Sequence, residues 1–401
     1  MPALGSALTR PPRYGIGAAA VPFRPDLPTY VRITDIDEFG RFAPDPAVSV
    51  DSPLSANFQL SEGEIVVART GASVGKSYRY IPPDGPLVFA GFLIALVPDS
   101  TLLDPRYLSY YFQSKPYWNW ITSESMRSGQ PGINARQLAL MPIDAPSVEQ
   151  QRDIANRLQD VDDLIASIEH LIAKKRALKQ GLMQELLTGR SRLPGFDDQW
   201  RDIRLGELGS FLKGRGIKRD QVRPTGVPCI RYGELYTAYT GYTETTLSFV
   251  EPSIAATALP IHEGDILLAG SGETKEEIGM SVAYIGDTAA VAGGDIIVLR
   301  GSSYDPVFLA SLLNSPSVAA QKARGGQGDA VVHINSRVLA AIGLRVPELA
   351  EQQEIASVIR DADAETAVLE RRLEVARDVK QGMMQELLTG RTRLSVEGDA
   401  A

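Results

Sequence analysis

The chain has 401 residues, of which 44% are hydrophobic and 22% charged, and a formal net charge of −8; that apolar content is ample for two or three soluble domains. So acidic a chain does not grip nucleic acid over its whole surface, so such contacts would have to be local. The single Cys229 closes no intramolecular disulfide, and His170, His262 and His333 are scattered, so a reducing cytoplasm is the expected compartment and no metal centre is expected.

Residues 1 to 146 read as short strands punctuated by Gly and Pro, with a helix near the end. The prolines Pro2, Pro11 and Pro12 do not read as a signal peptide, and they leave no strand ahead of Gly15-Ile16-Gly17 to support a dinucleotide fingerprint. A strand is predicted at Tyr30-Val31-Arg32-Ile33, and the clearest strands are Ile65 to Ala68 and Phe92 to Val97. The apolar run from Leu87 to Val97, which contains Gly91, reads as a buried strand too short to cross a bilayer. Gly71 to Ser77 looks like a phosphate loop but has three residues between its glycines where four are needed, and it runs on into the strand-like Tyr78-Arg79-Tyr80-Ile81. Arg69, Thr70, Ser73 and Lys76 are nonetheless side chains suited to base edges or phosphates, and Arg32 is a further candidate contact, with a salt bridge as its competing account. A helix opening after Asp104 is expected over Pro105 to Gln113. The crowded aromatics from Tyr107 to Trp120 can stack on bases, but their helical spacing favours core packing. Ser128-Gly129-Gln130 with Arg127 makes a turn whose Arg127 and Gln130 are candidate contacts.

From Val148 to Leu187 the apolar residues Ile154, Leu158, Val161, Ile165, Ile168 and Ile172 alternate at spacings of four and three, a heptad seam that resumes at Leu178, Leu182 and Leu186. Ser147 is placed to cap this helix, and Gly189 and Pro194 stop it. Residues 195 to 346 again read as short strands, the clearest at Ile266 to Ala269 and Ile296 to Leu299, with a helix over Pro306 to Asn314. Here the densest basic stretch is Lys213, Arg215, Lys218, Arg219 and Arg223, and a solvated loop is the competing account. Arg231, Ser271, Thr274, Lys275 and Gln327 complete the candidate contacts. A second helix repeats the seam at Ile355, Ile359, Ala362, Thr366, Leu369 and Leu373, then at Val379, Met383 and Leu387.

The chain is one unit written twice. Gln180-Gly181-Leu182-Met183-Gln184-Glu185-Leu186-Leu187-Thr188-Gly189-Arg190 returns 201 positions later as Gln381-Gly382-Met383-Met384-Gln385-Glu386-Leu387-Leu388-Thr389-Gly390-Arg391. Gly63 to Gly71 returns as Gly264 to Gly272, Leu4-Gly5 as Leu205-Gly206, Asp104-Pro105 as Asp305-Pro306 and Ile133-Asn134 as Ile334-Asn335. Lone helices of roughly forty residues are unstable in water, so the two are expected to pair as a coiled coil about 60 Å long. The recurring Gly181 and Gly382 suggest close backbone approach. No nucleophile, base and orienting group recur in both halves, so no catalysis is expected of the chain.

This layout resembles the specificity subunit of type I restriction-modification systems. The likeness rests on Glu149-Gln150-Gln151 and Glu351-Gln352-Gln353 opening the helices, the Leu-Leu-Thr-Gly-Arg endings, Gly264-Asp265-Ile266-Leu267 before a turn, and Ile230-Arg231-Tyr232-Gly233-Glu234-Leu235. One departure is that Trp200 precedes Leu205-Gly206, whereas only Met1-Pro2-Ala3 precedes Leu4-Gly5, so the first domain is expected to lack edge packing. The resemblance implies an α+β fold: target-recognition domains at 1–146 and 195–346, antiparallel spacer helices at 147–194 and 347–394, and a tail at 395–401. It further implies a non-catalytic chain in which each domain reads half of a split DNA site. The helices would set the gap and dock two methyltransferase subunits, with a restriction and translocase subunit in the full complex. The docking residues would be Gln184, Glu185, Leu187, Thr188, Gln385, Glu386, Leu388 and Thr389. S-adenosylmethionine, ATP and Mg2+ would belong to the partner subunits, with no cofactor in this chain. The alternative is a two-lobed adaptor that binds other proteins.

Overall fold

The computed structural model describes residues 1–125, 131–275, 277–328 and 331–392. The chain divides into two units, Met1–Glu169 with Arg371–Ala401, and His170–Glu370. Each unit thus takes one globular part and a portion of both long helices, Val148–Leu186 and Leu349–Leu387. None of the described helices is long and apolar enough to cross a membrane.

The globular part of the first unit has two four-stranded sheets. One orders Arg13–Tyr14, Leu93–Leu96, Ile65–Ala68 and Ser77–Arg79, all antiparallel. The other orders Ala20–Pro22, Val48–Val50, Thr29–Val31 and Leu87–Phe89, with only the last pair parallel. Ile65–Ala68 is buried at every position because side chains alternate between two covered faces. Ile65 and Val67 join the core beside the helices, whereas Val66 and Ala68 join Val31, Leu87 and Phe89 between the sheets. The apolar run 87–97 is two strands in different sheets and not the single strand its composition suggests. The chain turns at Ala90-Gly91, where a side chain on Gly91 would stand 3.3 Å from the Ile16 carbonyl. One apolar segment thereby supplies both sheets.

The second unit repeats this framework. Its larger sheet orders Ser210–Lys213, Ile296–Arg300, Ile266–Ala269 and Ser281–Tyr284 with the same directions, then adds Tyr242–Thr243. Its other sheet orders Ser248–Val250, Val227–Ile230 and Ala290–Ala292, again with one parallel pair, and adds Leu259–Ile261.

The short recurring motifs are joints. Asp104 and Asp305 cap the helices Pro105–Tyr111 and Pro306–Leu313. Their backbone N–H groups donate to Gln151 and Gln352, whose side-chain amides donate in turn to the Pro146 and Pro347 carbonyls. Each glutamine is buried and ties the start of a long helix to its globular part. Asn134 and Asn335 cap the helices Ala135–Ala139 and Ser336–Ala340. Ile133 and Ile334 donate their N–H groups to the carbonyls of Arg69 and Gly270, at the ends of equivalent strands.

Within the first unit the two helix segments run antiparallel, with Lys380 paired to Asp162 and Arg377 to Glu169. Within the second unit Lys179 pairs with Asp363 and Arg176 with Glu370, at positions exactly one repeat away. The two arginine pairs are largely exposed and add little stability, whereas the two lysine pairs are half-buried, and all four select the register. The expected seam holds at Ile154, Leu158, Ile165, Ile168, Ile172, Ile355 and Ile359, all buried. Where it resumes, Leu186 and Leu387 are buried and Met383 packs against a core, but Leu178, Leu182 and Val379 are about half exposed. No packed backbone explains Gly181 and Gly382 either: a side chain on either would meet nothing within 4 Å.

Each long helix ends by plugging a core. Leu186 and Leu187 pack among Trp200, Leu205 and Phe308, and Leu387 and Leu388 among Leu4, Tyr107 and Leu108. Gly189 and Gly390 then turn the chain at φ +67° and +70°, as helix-ending glycines do. Most of the aromatic stretch is likewise core, with Tyr107, Tyr110, Tyr111, Phe112 and Tyr117 buried, whereas Trp118 is exposed and Trp120 half-buried. Leu187→Ala and Leu388→Ala should each cost about 2–5 kcal/mol, while Leu182→Ala should stay within about 0.5 kcal/mol. Urea unfolding midpoints of the three variants check this ranking.

Candidate nucleic-acid interface

In the second unit three segments meet at one end of the larger sheet. Ser210–Lys213 and Ile266–Ala269 finish there and Ile296–Arg300 begins there. The Gly270 N–H donates to the Asp295 carbonyl at 2.7 Å, Gly294 to Gly216 at 2.9 Å and Gly214 to Ile296 at 2.8 Å. Glycine is required at Gly214, where a side chain would collide with the Gly293 carbonyl at 2.0 Å. The basic stretch is therefore drawn alongside the turn that follows Ala269. Lys213, Arg215, Lys218 and Arg219 are exposed, and none forms an ion pair among the described residues. Arg223 differs, since it lies 3.5 Å from Glu251.

The turn itself divides its candidates. Thr274 and Lys275 are exposed, with Thr274 bonded to Glu277 at 3.1 Å. Ser271 is not a tip residue, contrary to expectation: it is 5% exposed and its hydroxyl meets His333 Nδ1 at 2.9 Å. The strand pair Ser271–Gly272 with Val332–His333, and the bridge from His333 to Gln327, place the exposed Gln327 beside this turn.

The same end of the first unit carries different chemistry. The Arg69 guanidinium lies over the Tyr14 ring, 4.8 Å from its centroid, a cation–π contact. Thr70 bridges Gly132, and Gly71–Ser73 forms a single 3-10 turn that leads into a strand. No helix follows to face a phosphate. Thr70 and Ser73 are half-buried beside this turn. Lys76 is turned inward, its ammonium 3.5 Å from the Ile36 carbonyl, so it does not present a free cation at the tip. Arg127 and Gln130 lie outside the described residues.

Arg32 and Arg231 are removed from the interface by a shared geometry. Arg32 grips the buried Asp35 through Nε and Nη2 at 2.9 and 2.7 Å. Arg231 grips the buried Glu234 at 3.1 and 2.9 Å. In both cases the carboxylate also accepts the arginine's own backbone N–H, so each pair closes a short turn after a strand. The salt-bridge account is the one realised.

Two residues at the first tip were missed by sequence reasoning, Tyr14 at 40% exposure and Phe92 at 58%. Phe92 had been absorbed into an apolar run, and its exposure follows only from the break at Gly91.

Below each turn a buried carbonyl needs a donor. Gly75 O accepts from the Tyr117 hydroxyl at 2.8 Å, with Ile121 packed against that glycine. One repeat later Val318 stands for Tyr117 and Lys322 for Ile121, and the Lys322 ammonium donates to Gly279 O at 2.6 Å. The donor has moved one helical turn while its acceptor has stayed. Burial depresses Lys322 to about 7 from its ordinary 10.5.

Of the docking candidates, Leu187 and Leu388 are core plugs at 4% exposure and present no docking surface. Gln184, Thr188, Gln385, Glu386 and Thr389 are exposed and Glu185 half-buried. Thr188 and Thr389 cap their own helices by donating to the Gln184 and Gln385 carbonyls.

The family model described as type I restriction modification DNA specificity domain matches residues 40–175 and 197–376. The chain is 23% identical over 356 residues to the type I restriction enzyme MjaVIII specificity subunit of Methanocaldococcus jannaschii, covering 84% of this chain and 80% of that one. It is 24% identical over 361 residues to the putative MjaX specificity subunit of the same organism, with the same coverage. Among solved structures it is similar in fold to the type I restriction-modification S subunit from M. genitalium (TM-score 0.60, 15% identity, covering 96% of this chain and 95% of that one). A chain from a study of complex assembly in the type I system gives a TM-score of 0.56 at 17% identity, covering 95% of this chain and 98% of that one.

Because Lys322 is held neutral in the native chain above about pH 7 while the unfolded chain keeps its proton up to about 10.5, stability should rise as pH increases through that window. Below it both states are protonated and the desolvation cost is carried in full. Lys322→Met should flatten this rise, which pH-dependent denaturant titration checks. Separately, Arg231→Ala should cost roughly 1.5–3 kcal/mol by stripping a charged partner from Glu234, measured by the same titration.

Proposed function

This chain belongs to the type I restriction modification DNA specificity family, and from that premise we propose that each globular part reads one half of a bipartite, asymmetric duplex site. One observation carries the reading: the same strand order presents dissimilar side chains at the equivalent sheet end in the two units. Tyr14, Arg69 and Phe92 stand there in the first unit, and Lys213, Arg215, Lys218, Arg219 and Lys275 in the second. A duplicated frame with unlike tips suits a site whose halves differ. Base edges in the major groove supply the discrimination, about 1–3 kcal/mol for a good bidentate pair, and phosphates supply the salt-dependent affinity. The acidic total of the chain is compatible with this, because Lys213, Arg215, Lys218 and Arg219, which form no ion pair among the described residues, lie together at one sheet end.

The chain itself is a specificity subunit and not an enzyme. S-adenosylmethionine chemistry, and ATP- and Mg2+-dependent cleavage, fall to partner subunits in this reading. The methyltransferases dock along exposed apolar stripes on the long helices instead of at the buried leucines. In the second unit Leu171, Leu178 and Leu182 are exposed at spacings of seven and four, and in the first Val375 and Val379 are exposed four apart. Those spacings keep each set on one helix face.

Selection of duplexes from a random pool, with and without the methyltransferase subunits, tests the reading. A split consensus supports it, and enrichment of no sequence overturns it in favour of an adaptor. The double variant Lys213→Glu, Lys218→Glu should weaken binding across all duplexes and reduce the salt slope by about 1 to 2; an unchanged slope counts against this loop. Leu178→Glu with Leu182→Glu should abolish copurification with the methyltransferase without changing thermal stability.

A further inference from the structure

In the first unit the residue that follows Ile65–Ala68 is fixed from several directions. Arg69 donates its backbone N–H to Phe92 O at 3.0 Å, and its carbonyl accepts from Ile133 N–H at 2.9 Å. Its guanidinium lies over the Tyr14 ring, and the Tyr14 hydroxyl accepts from Ala135 N–H at 3.1 Å, which steadies the ring in turn. The second unit repeats this backbone without these side chains. Gly270 makes the same two bonds, to Asp295 O and from Ile334 N–H. Lys213, opposite Ile297, stands where Tyr14 stands opposite Ile94.

The stacked arginine lacks an acceptor. Its Nε is buried with no hydrogen-bond partner, and its Nη nitrogens, which are not buried, form no hydrogen bond or ion pair among the described residues. A half-buried cation left in this state carries a desolvation cost that an acceptor at the same spot would offset. Because Nε is shut off, such an acceptor has to meet the two Nη nitrogens end on. The surroundings favour a base edge over a phosphate. Of the turn's own cations, Lys76 is directed away to the Ile36 carbonyl, so the turn does not gather charge as the basic stretch of the second unit does. The exposed groups beside the guanidinium are the rings of Tyr14 and Phe92.

We propose that Arg69 reads a guanine in one half-site, donating from its two Nη nitrogens to O6 and N7 in the major groove, with Tyr14 as the positioning residue that fixes the plane of the fork. The inference rests on the DNA-reading function proposed above and names a base for one of its halves. In that groove guanine presents two neighbouring acceptors, whereas adenine and cytosine offer a donor amine that a guanidinium, itself only a donor, cannot meet. Thymine sets a methyl beside its acceptor. A bidentate contact of this kind discriminates against the wrong base by about tenfold to hundredfold. With Gly270 and Lys213 in the equivalent places, the second unit has no such reader, so the requirement falls on one half of the site.

The test repeats the random-pool selection on the full chain with its methyltransferase subunits, for the native protein and for Arg69→Lys, Arg69→Met, Tyr14→Phe and Tyr14→Leu. The native consensus should contain one G·C pair that both Arg69 variants lose, while the other half of the consensus is retained and reports that the chain is folded. Arg69→Lys keeps the charge, so it should bind nonspecific duplex as before and lose only the preference, by about tenfold to hundredfold. Replacing that guanine with 7-deazaguanine should weaken the native complex severalfold and leave Arg69→Met indifferent. Tyr14→Leu should lower the guanine-to-adenine ratio more than the overall affinity, and Tyr14→Phe, which keeps the ring, should restore most of it; an unchanged ratio in Tyr14→Leu overturns the positioning role. A consensus that neither Arg69 variant alters overturns the inference, as does loss of a base other than guanine. Uniform weakening across all duplexes in Arg69→Met, with a salt slope reduced by about 1, assigns Arg69 to a phosphate and overturns it too. Absence of any split consensus for the native protein defeats the DNA-reading function itself, whereas a split consensus indifferent to Arg69 defeats only this inference.

Discussion

The leucine pair at the end of each long helix, driven into the core of a globular part, is the contact on which the rest depends. A helix of 39 residues with a mostly polar surface gains little from its own backbone. Its stability has to come from burial at its ends and along its seam. Leu186-Leu187 and Leu387-Leu388 provide one end, and Gln151 and Gln352 fasten the other through paired amide bonds to backbone. Each globular part is thus fastened to the beginning of one helix and the end of the other. This accounts for the strictness of the 201-residue repeat at these positions and its looseness elsewhere.

Between the joints, physical requirements persist while residues change. The carbonyl beneath each turn is satisfied in both units, by a tyrosine hydroxyl in one and a buried lysine in the other. A buried carboxylate three residues after an arginine closes an equivalent turn in both, as aspartate in one and glutamate in the other. Buried carboxylates also recur at Glu64 and Asp265, but the first is held by Arg10 and Arg13 and the second by Arg300. The tips are free of such requirements, and there the two units share almost nothing. Divergence at the tips and conservation of the frame are what a pair of unlike readers on one architecture needs.

The exposed stripe on the long helices follows from the same logic. In its second half each helix carries exposed leucines or valines at heptad-compatible positions, Leu171, Leu178 and Leu182 in one and Val375 and Val379 in the other. Their spacing is indistinguishable from a buried seam when read along the chain. Only the tertiary structure shows that Ile165 and Ile168 are buried while Leu178 and Leu182 are left in water.

The sequence by itself determined the duplication, the α+β class, both long helices with their stops, the strands at Ile65–Ala68 and Ile266–Ala269, and the capping aspartates. These rest on local periodicity and on residues with one backbone use, so neighbours in sequence suffice to read them. Tertiary structure decided which side of a helix is wet, that the run 87–97 serves two sheets, that Arg32, Arg231, Ser271 and Lys76 face inward, and that Tyr14 and Phe92 face out. Each of those outcomes depends on a partner far away in the chain, such as a carboxylate for an arginine, a histidine for a serine or a crossing backbone at Gly91, and no window of local sequence contains that partner.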